Sequence, residues 1–317
     1  GATRARLSTF GLADKVAVIN RAGVRLAREA AAERSDVFVA GAIGPLGVLL
    51  EPLGPTSYDE ARAMFSEQIS ALLEEGVDLL IFETFAQLPE LREALAAARE
   101  LAGSEMVIVA QVTIDDDGNM PDGTSTQKFS EFLDASPADV VGLNCSVGPK
   151  ATLETLERMM AFTKKPVSGV PNAGHPTQVE GRAIYLSSPE YLAQYARRML
   201  WAGVRMVGGC CGTTPEHIKS ICSEARSLQP GMHQLAVTVE EPKAKAKAME
   251  KVPVEKKSTL GANLDAGKFV AFVEILPPRG VDASKEIAGA RLCKEAGIDV
   301  INVPDGPRAS ARMSAQV

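Results

Sequence analysis

Two adjacent cysteines, Cys210 and Cys211, lie between an apolar run at residues 204–207 and a segment with the residues typical of a helix start. The apolar run predicts a buried strand, and the two glycines before the cysteines permit a tight turn. Cys145 follows a second apolar run, residues 140–143. If both runs are strands of one parallel sheet, their carboxyl ends meet at the same edge, and the three thiols converge there.

Three convergent thiols favour a bound metal over small buried hydrophobic residues, and a structural or redox thiol centre stays open as an alternative. Thiolates are soft ligands that suit zinc, and a set of three leaves one position open, as in catalytic zinc sites. Zinc at such a site removes the proton of an incoming thiol, so the predicted chemistry is attack of a substrate thiolate on an alkyl group. The two other cysteines, Cys222 and Cys293, lie in predicted helices and are expected to be core residues.

Apolar runs alternate with helical patterns along most of the chain, in roughly six strand–helix units. Strict alternation predicts parallel strands with helical crossovers, which leaves an open doubly wound sheet or a (β/α)8 barrel. Polar residues and cysteines follow almost every run, which favours the barrel. The expected fold is therefore α/β, a (β/α)8 TIM barrel that lacks its first two strands. We expect the missing pair to precede Gly1.

Composition divides the chain into three parts. Residues 1–230 form the predicted barrel. Residues 231–267 are rich in Lys, Ala, Pro and Glu, which is typical of a linker. Because this segment has little apolar surface to bury, we expect a flexible tether. Residues 268–317 have the pattern of a strand, a helix and a strand, and they predict the start of a second β/α barrel.

Overall charge excludes several classes of partner. The chain of 317 residues has a net charge of -6 and a pI near 5.4, which argues against nucleic acid or an anionic membrane. No apolar run approaches the roughly 20 residues that span a bilayer, and no signal peptide is visible. Five cysteines in a chain of this length do not make a disulfide framework. A reducing, cytoplasmic setting is therefore expected.

Four segments together resemble one known family. Residues 142–145 and 208–218 resemble the two cysteine motifs of the homocysteine S-methyltransferase family, and residues 118–123 and 171–174 resemble two of its other loops. The resemblance implies a (β/α)8 barrel that transfers a methyl group to homocysteine and gives methionine. It also implies a zinc ion held by three cysteines, matched here by Cys145, Cys210 and Cys211. The methyl donor stays open among S-adenosylmethionine, S-methylmethionine and methylfolate.

Three polar residues at strand ends are candidates for substrate binding. Glu83 follows a predicted strand and is expected to pair with the ammonium group of homocysteine, a role that the resemblance supports; a solvated charge is the alternative. Asn144 and Asn172 are expected to hydrogen-bond the amino-acid head group, and loop-stabilising turns are an equal alternative. His217 lies in the first turns of a predicted helix and is expected to be structural.

The last part of the chain resembles a second family. Residues 269–313 resemble the beginning of methylenetetrahydrofolate reductase, in which Glu274 matches the catalytic acid. The resemblance implies folate as substrate and, for a full-length reductase domain, FAD and NAD(P)H. The two domains in this order resemble a bacterial bifunctional homocysteine S-methyltransferase/methylenetetrahydrofolate reductase. The alternative for the first domain is an inactive scaffold that tethers the reductase.

Overall fold

The computed structural model describes residues 1–179, 182–227, 252–278 and 282–304. The chain divides into two units, Gly1–Val239 and Glu240–Val317. In the described ranges, no helix has both the length and the apolar character needed to cross a membrane.

The first unit is built on a six-stranded sheet with the order β1-β2-β3-β4-β5-β8. Every neighbouring pair in this sheet is parallel. Two further strands, β6 and β7, form a separate antiparallel hairpin between β5 and β8. The strands are β1 (Ala40–Ile43), β2 (Leu79–Phe85), β3 (Val107–Val112), β4 (Val140–Asn144), β5 (Val167–Val170), β6 (Thr177–Val179), β7 (Arg182–Ile184) and β8 (Met206–Val207).

Helices alternate with the strands of the sheet, as the sequence predicts. Several begin at a capping residue: Ser57 and Glu60 form a capping box, and the side chain of Ser188 accepts a hydrogen bond from the backbone of Tyr191. A short 3-10 helix, Ala13–Lys15, lies between the first two helices. The helices are α1 (Arg4–Ser8), α2 (Val16–Ala31), α3 (Tyr58–Glu74), α4 (Leu88–Ala102), α5 (Thr126–Ala135), α6 (Pro149–Met159), α7 (Pro189–Ala202) and α8 (Pro215–Ser227).

The first strand lies later than the sequence predicts. The apolar run at residues 36–40 predicts a strand, but β1 begins only at Ala40 and includes Gly41. A Cβ on Gly41 would lie 3.0 Å from a side-chain atom of Leu80 and 3.1 Å from one of Leu72. The small residue therefore lets β2 and α3 pack closely against β1, and tertiary packing decides the position of the strand rather than local apolar content.

The second strand continues through the predicted substrate residue. The sequence predicts that the strand ends at Phe82, before Glu83, but β2 runs to Phe85. Its pairing with β3 is irregular between Phe82 and Phe85, and Thr84 within this irregularity has a φ of 63°. Both phenylalanines are fully buried, and their rings lie 6.4 Å apart. Because two buried aromatic side chains flank it, the segment that carries Glu83 is held firmly by the core.

The second unit is a small β-α-β arrangement. Its strands β9 (Phe272–Glu274) and β10 (Val300–Asn302) are parallel and are joined through helix α11 (Ser284–Glu295). Two short helices, α9 (Val254–Lys257) and α10 (Thr259–Asp265), precede it. Part of the predicted linker is thus helical, because Ser258 caps α10 by accepting a hydrogen bond from the backbone of Gly261 at 3.0 Å. The rest of that prediction, residues 231–251, lies outside the described residues.

Candidate metal centre

Three sulfur atoms lie together at the carboxyl edge of the sheet. The Sγ atoms of Cys145, Cys210 and Cys211 are all within 4.8 Å of one another. The separation is 3.5 Å between Cys145 and Cys211 and 4.0 Å between Cys210 and Cys211. Zinc with tetrahedral bonds of about 2.3 Å to sulfur requires sulfurs ~3.8 Å apart, so the spacing suits one ion. In the described part of the chain, this is the one such cluster of possible metal ligands.

A strained turn directly after β4 presents Cys145. Cys145 has a φ of 61° and Ser146 a φ of 56°, both in the left-handed region that non-glycine residues seldom occupy. Two backbone hydrogen bonds hold the turn, from Cys145 N to Val170 O at 3.0 Å and from Val147 N to Cys145 O at 2.7 Å. Strain of this kind persists only where surrounding contacts enforce it, and it is common at functional sites.

The loop after β8 is tied to the loop after β5 on both sides of the cysteine pair. Cys210 N donates to Pro171 O at 2.8 Å, and Ala173 N donates to Cys211 O at 2.9 Å. Between them, the Asn172 side chain accepts a hydrogen bond from Cys211 N at 3.1 Å. These bonds fix the backbone that carries two of the three sulfurs.

Asn144 links the cysteine cluster to the irregular end of β2. Its Oδ1 accepts a hydrogen bond from Thr84 N at 2.7 Å, and its Nδ2 donates to Thr84 Oγ1 at 2.8 Å. The same Nδ2 lies 3.9 Å from Cys210 Sγ. Asn144 and Asn172 are both buried, with exposed fractions of 2% each. Their observed partners belong to the protein, so both residues hold the site together; the predicted contact with a substrate head group stays a prediction.

Without a cation, the ionisation of one thiol of the cluster opposes the ionisation of the other two. A hydrogen bond from the Cys210 thiol is the main cause that lowers the pKa of Cys145 to about 5. The same bond raises the pKa of Cys210, and burial is the main cause that raises the pKa of Cys211. One negative charge thus suppresses the ionisation of its two neighbours. A soft divalent cation removes this repulsion, which is why the donor set fits zinc.

The model of the homocysteine S-methyltransferase family matches residues 1–225. The chain belongs to the homocysteine S-methyltransferase family. Its three clustered cysteines are the ones that the motif resemblance assigned to the family's zinc.

Two of its curated relatives are methionine synthases. The one from Mycobacterium leprae (strain TN) is 31% identical over 239 residues, which are 73% of this chain and 20% of the relative. The one from Mycobacterium tuberculosis (strain ATCC 25618 / H37Rv) is 30% identical over 244 residues, which are 74% of this chain and 20% of the relative. The chain therefore spans about a fifth of the length of these two relatives.

A solved structure shares the fold of this family member. The metallated form of the homocysteine methyltransferase MmuM from Escherichia coli superposes with a TM-score of 0.57 and 26% identity. The match covers 71% of this chain and 76% of that one. Its oxidised form gives a TM-score of 0.56 at 27% identity, covering 70% of this chain and 76% of the other.

Glu83 lies near the cysteine cluster of this methyltransferase-family chain. It is half-buried, and burial is the main cause that raises its pKa. The charge of the Cys145 thiolate adds to the shift. Its neighbour Thr84 is bonded to Asn144, which places the carboxylate at the same edge as the thiols. A half-buried carboxylate at this edge is suited to a cationic group of a ligand.

His217 is structural, as the sequence predicts. It is buried, and Thr214 N donates to its Nδ1 at 3.1 Å. Since Nδ1 accepts, the proton is on Nε2, which donates to Ser187 O at 2.9 Å. Both ring nitrogens are used, so the imidazole joins the start of α8 to the segment before α7.

Cys222 and Cys293 were both expected to be core residues, and neither is fully buried. The prediction that Cys222 is a core residue is wrong, because it is exposed on α8, whose buried positions are His217 and Ile221. Cys293, on α11, is half-buried. Sequence reasoning also missed Tyr185, which directly follows β7 and whose ring packs against Gly212, the residue after Cys211. The signal for it in the sequence is a pair of short runs, residues 177–179 and 182–184, with a glycine among the two residues between them.

Proposed function

We propose that the chain transfers a methyl group to the thiol of homocysteine and so forms methionine, at a zinc ion held by Cys145, Cys210 and Cys211. The observation that carries the proposal is the cluster of three sulfurs within 4.8 Å of one another at the carboxyl edge of the sheet. Family membership supports the substrate, and MmuM, a homocysteine methyltransferase solved in a metallated form, supports the metal.

Bound zinc would supply charge that keeps the homocysteine sulfur deprotonated at neutral pH, where a free thiol with a pKa of about 8.5 is mostly protonated. The chain's own contribution is to hold the three thiols in place before the metal and substrate arrive. The strained turn at Cys145, the Asn172 bond to Cys211 N and the Asn144 contact with Cys210 do this. Such pre-organisation lowers the cost of ordering the site upon binding.

Glu83 has the proposed role of pairing with the ammonium group of homocysteine. Its carboxylate is half-buried and lies at the same edge as the thiols. A bound ammonium would stabilise the carboxylate charge in place of the hydration that is lost on burial. Pairing would also favour the charged carboxylate, against the direction in which burial moves its pKa. Asn144 and Asn172 flank the same region, and we propose that they act on the substrate mainly by positioning the cysteines.

Replacing Glu83 by glutamine is expected to raise KM for homocysteine about 10- to 100-fold, since a hydrogen bond to a charged group contributes about 1.5–3 kcal/mol. The zinc content should stay that of the wild type because Glu83 is not one of the three proposed ligands. Steady-state kinetics together with metal analysis measures both quantities. The matched control is Glu100→Gln, a change at an exposed position of α4. An unchanged KM in the Glu83→Gln variant would remove Glu83 from the substrate site.

The test of the function is methyl transfer by the zinc-loaded chain. Homocysteine is supplied with S-adenosylmethionine, S-methylmethionine or methylfolate in separate assays, and methionine is measured. Formation of methionine with at least one donor, at one zinc per chain, is the expected result. Zinc binding without methyl transfer from any of them would favour the alternative of an inactive scaffold.

A redox thiol centre is the second candidate, favoured by the 3.5 Å separation of Cys145 Sγ and Cys211 Sγ. A disulfide requires about 2.05 Å between sulfurs, so its formation needs only a small movement. Mass spectrometry of the chain under mild oxidant distinguishes the two candidates. A disulfide that forms and reduces reversibly without any metal bound to the reduced chain would favour the redox centre.

The six-stranded parallel sheet is proposed to be part of a (β/α)8 barrel. Supporting this, the strands follow one another in sequence order across the sheet, each joined to the next by a helical crossover. In such a barrel the residues that act on substrate lie at the carboxyl ends of the strands, which is where the thiols, Glu83 and Asn144 are found in this chain.

The second unit is proposed to begin a methylenetetrahydrofolate reductase domain with Glu274 as its catalytic acid. The proposal is supported by the parallel pair β9 and β10, in which Glu274 is the last residue of its strand. Asn302, at the end of the neighbouring strand, donates a hydrogen bond to Glu274 Oε2 at 3.3 Å. Folate, FAD and NAD(P)H would be ligands of the complete domain.

A further inference from the structure

The turn that presents Cys145 is unfavourable in isolation. Cys145 and Ser146 are consecutive residues with φ values of 61° and 56°, and neither is a glycine. Left-handed residues of this kind keep their conformation only where surrounding contacts hold them. The backbone of Cys145 is held by hydrogen bonds, since its N–H donates to Val170 O at 3.0 Å and its C=O accepts from Val147 N at 2.7 Å. Ser146 is held through its side chain, from the end of a different strand.

Thr113 is the residue that contacts Ser146. The hydroxyl groups of the two side chains form a hydrogen bond across 33 residues of sequence. Thr113 directly follows β3 and is buried, with 4% of its surface exposed. A β-branched side chain has few χ1 rotamers, so burial of Thr113 fixes the direction of its hydroxyl group. The left-handed turn is therefore anchored on a rigid point at the edge of the sheet.

The backbone around Thr113 is fixed by the two neighbouring strands. Its N–H donates to Phe85 O, at the end of β2, at 3.0 Å. The preceding residue, Val112, is paired with Leu143 of β4. Thr113 thus lies where β2, β3 and β4 end together, and its backbone is ordered without help from the turn. The hydrogen bond extends this order to the residue after Cys145.

We propose that Thr113 is a positioning residue of the metal centre, whose hydroxyl group holds the left-handed turn at Ser146 and so keeps the sulfur of Cys145 beside the other two. The proposal rests on the proposed function in that it takes the three cysteines as metal ligands. Without the hydrogen bond, part of the metal-free population relaxes toward the right-handed conformations that non-glycine residues prefer. Those chains present two sulfurs in place of three, and the apparent metal affinity falls with the fraction of competent chains.

Thr113→Val removes the hydroxyl group and keeps the branched shape of the side chain. In the full 317-residue chain, zinc affinity is measured by competition with a chromogenic chelator. We expect the variant to bind Zn²⁺ about 3- to 10-fold more weakly, the effect of losing one hydrogen bond, at an unchanged stoichiometry. Thr113→Ser, which keeps a hydroxyl group, should bind zinc within about twofold of the wild type.

Ser146→Ala removes the other half of the same hydrogen bond. If this contact is the cause, the two changes are not additive, and the double variant Thr113→Val/Ser146→Ala should bind zinc no more weakly than the weaker of the single variants. The comparison cancels any separate effect of alanine on the left-handed turn. It also separates the contact from a general loosening of the fold, in which the two losses would add.

Thr155→Val on α6 is the matched control. Thr155 is buried, with 1% of its surface exposed, and its hydroxyl group accepts a hydrogen bond from Arg158 at 3.0 Å. This loss of a buried threonine hydroxyl should leave the zinc affinity at the wild-type value. Melting temperatures of the metal-free chains show which variants are folded at the temperature of the binding measurement.

A wild-type zinc affinity in Thr113→Val would overturn the role, and so would equal losses in Thr113→Val and Thr113→Ser. Additive losses in the double variant, or a wild-type chain that binds no zinc, would overturn it as well. If Thr113→Val does not fold, the zinc affinity of Ser146→Ala decides in its place. None of these measurements depends on turnover, so a zinc-loaded wild type that transfers no methyl group would refute the proposed reaction and leave this role intact.

Discussion

Cys210→Ala is expected to lower zinc affinity by more than about 100-fold, because even partners that only hydrogen-bond a metal's ligands commonly contribute 10- to 100-fold. Cys210 has a central place in the cluster. Its Sγ lies within 4.8 Å of the other two sulfurs, 4.0 Å from that of Cys211, and 3.9 Å from the Asn144 side-chain nitrogen. Its removal takes away one of the three proposed ligands and leaves the Asn144 side chain without its sulfur contact. Methyl transfer should fall with the metal, and loss of both is measured by metal analysis and a methionine assay.

Cys222→Ala is the matched control for this change. It removes a thiol from an exposed position on α8, outside the cluster. Zinc content and activity should stay at the wild-type level. A Cys210→Ala chain that keeps one tightly bound zinc would contradict the proposed ligand set, and so would equal metal loss in the two variants.

The cysteine cluster is the part of the site that the sequence predicts best. Cys145 and Cys210 each follow an apolar run with glycines nearby, and strict alternation of strands and helices places the ends of parallel strands at one edge. Convergence follows from topology alone, without knowledge of any side-chain contact. For the same reason the sequence predicts the edge at which Glu83 lies.

Features that depend on contacts distant in sequence are not predicted. The end of β2 is one, because the left-handed Thr84 is held by Asn144, 60 residues away. Tyr185 is another, since its contact with Gly212 requires that the β6–β7 hairpin and a glycine turn come together. In both cases local propensity is neutral or unfavourable, and tertiary hydrogen bonds decide the conformation.

Gly142→Ala is expected to destabilise the first unit by ~3 kcal/mol or more, at the upper end of what overpacking of a core costs. A Cβ at Gly142 would lie 2.0 Å from the backbone oxygen of Ser168, in the neighbouring strand β5. Backbone of a central strand cannot give way as a flexible side chain can. Separation of the strands would also break the buried hydrogen bond between Gln111 and Ser168. Since β4 leads directly to Asn144 and Cys145, zinc binding should weaken as well.

Gly208→Ala provides the comparison, because a Cβ there meets only side-chain atoms of Val170, at 3.7 and 3.8 Å, which is ordinary contact. Thermal unfolding of the metal-free chains measures the difference. For a domain of this size, 3 kcal/mol corresponds to about 6–12 °C in Tm, whereas Gly208→Ala should change Tm by no more than ~2 °C. A Gly142→Ala chain with the wild-type Tm and zinc affinity would show that β4 and β5 do not pack in this register. It would thereby remove the physical basis for the position of Cys145 beside the cysteine pair.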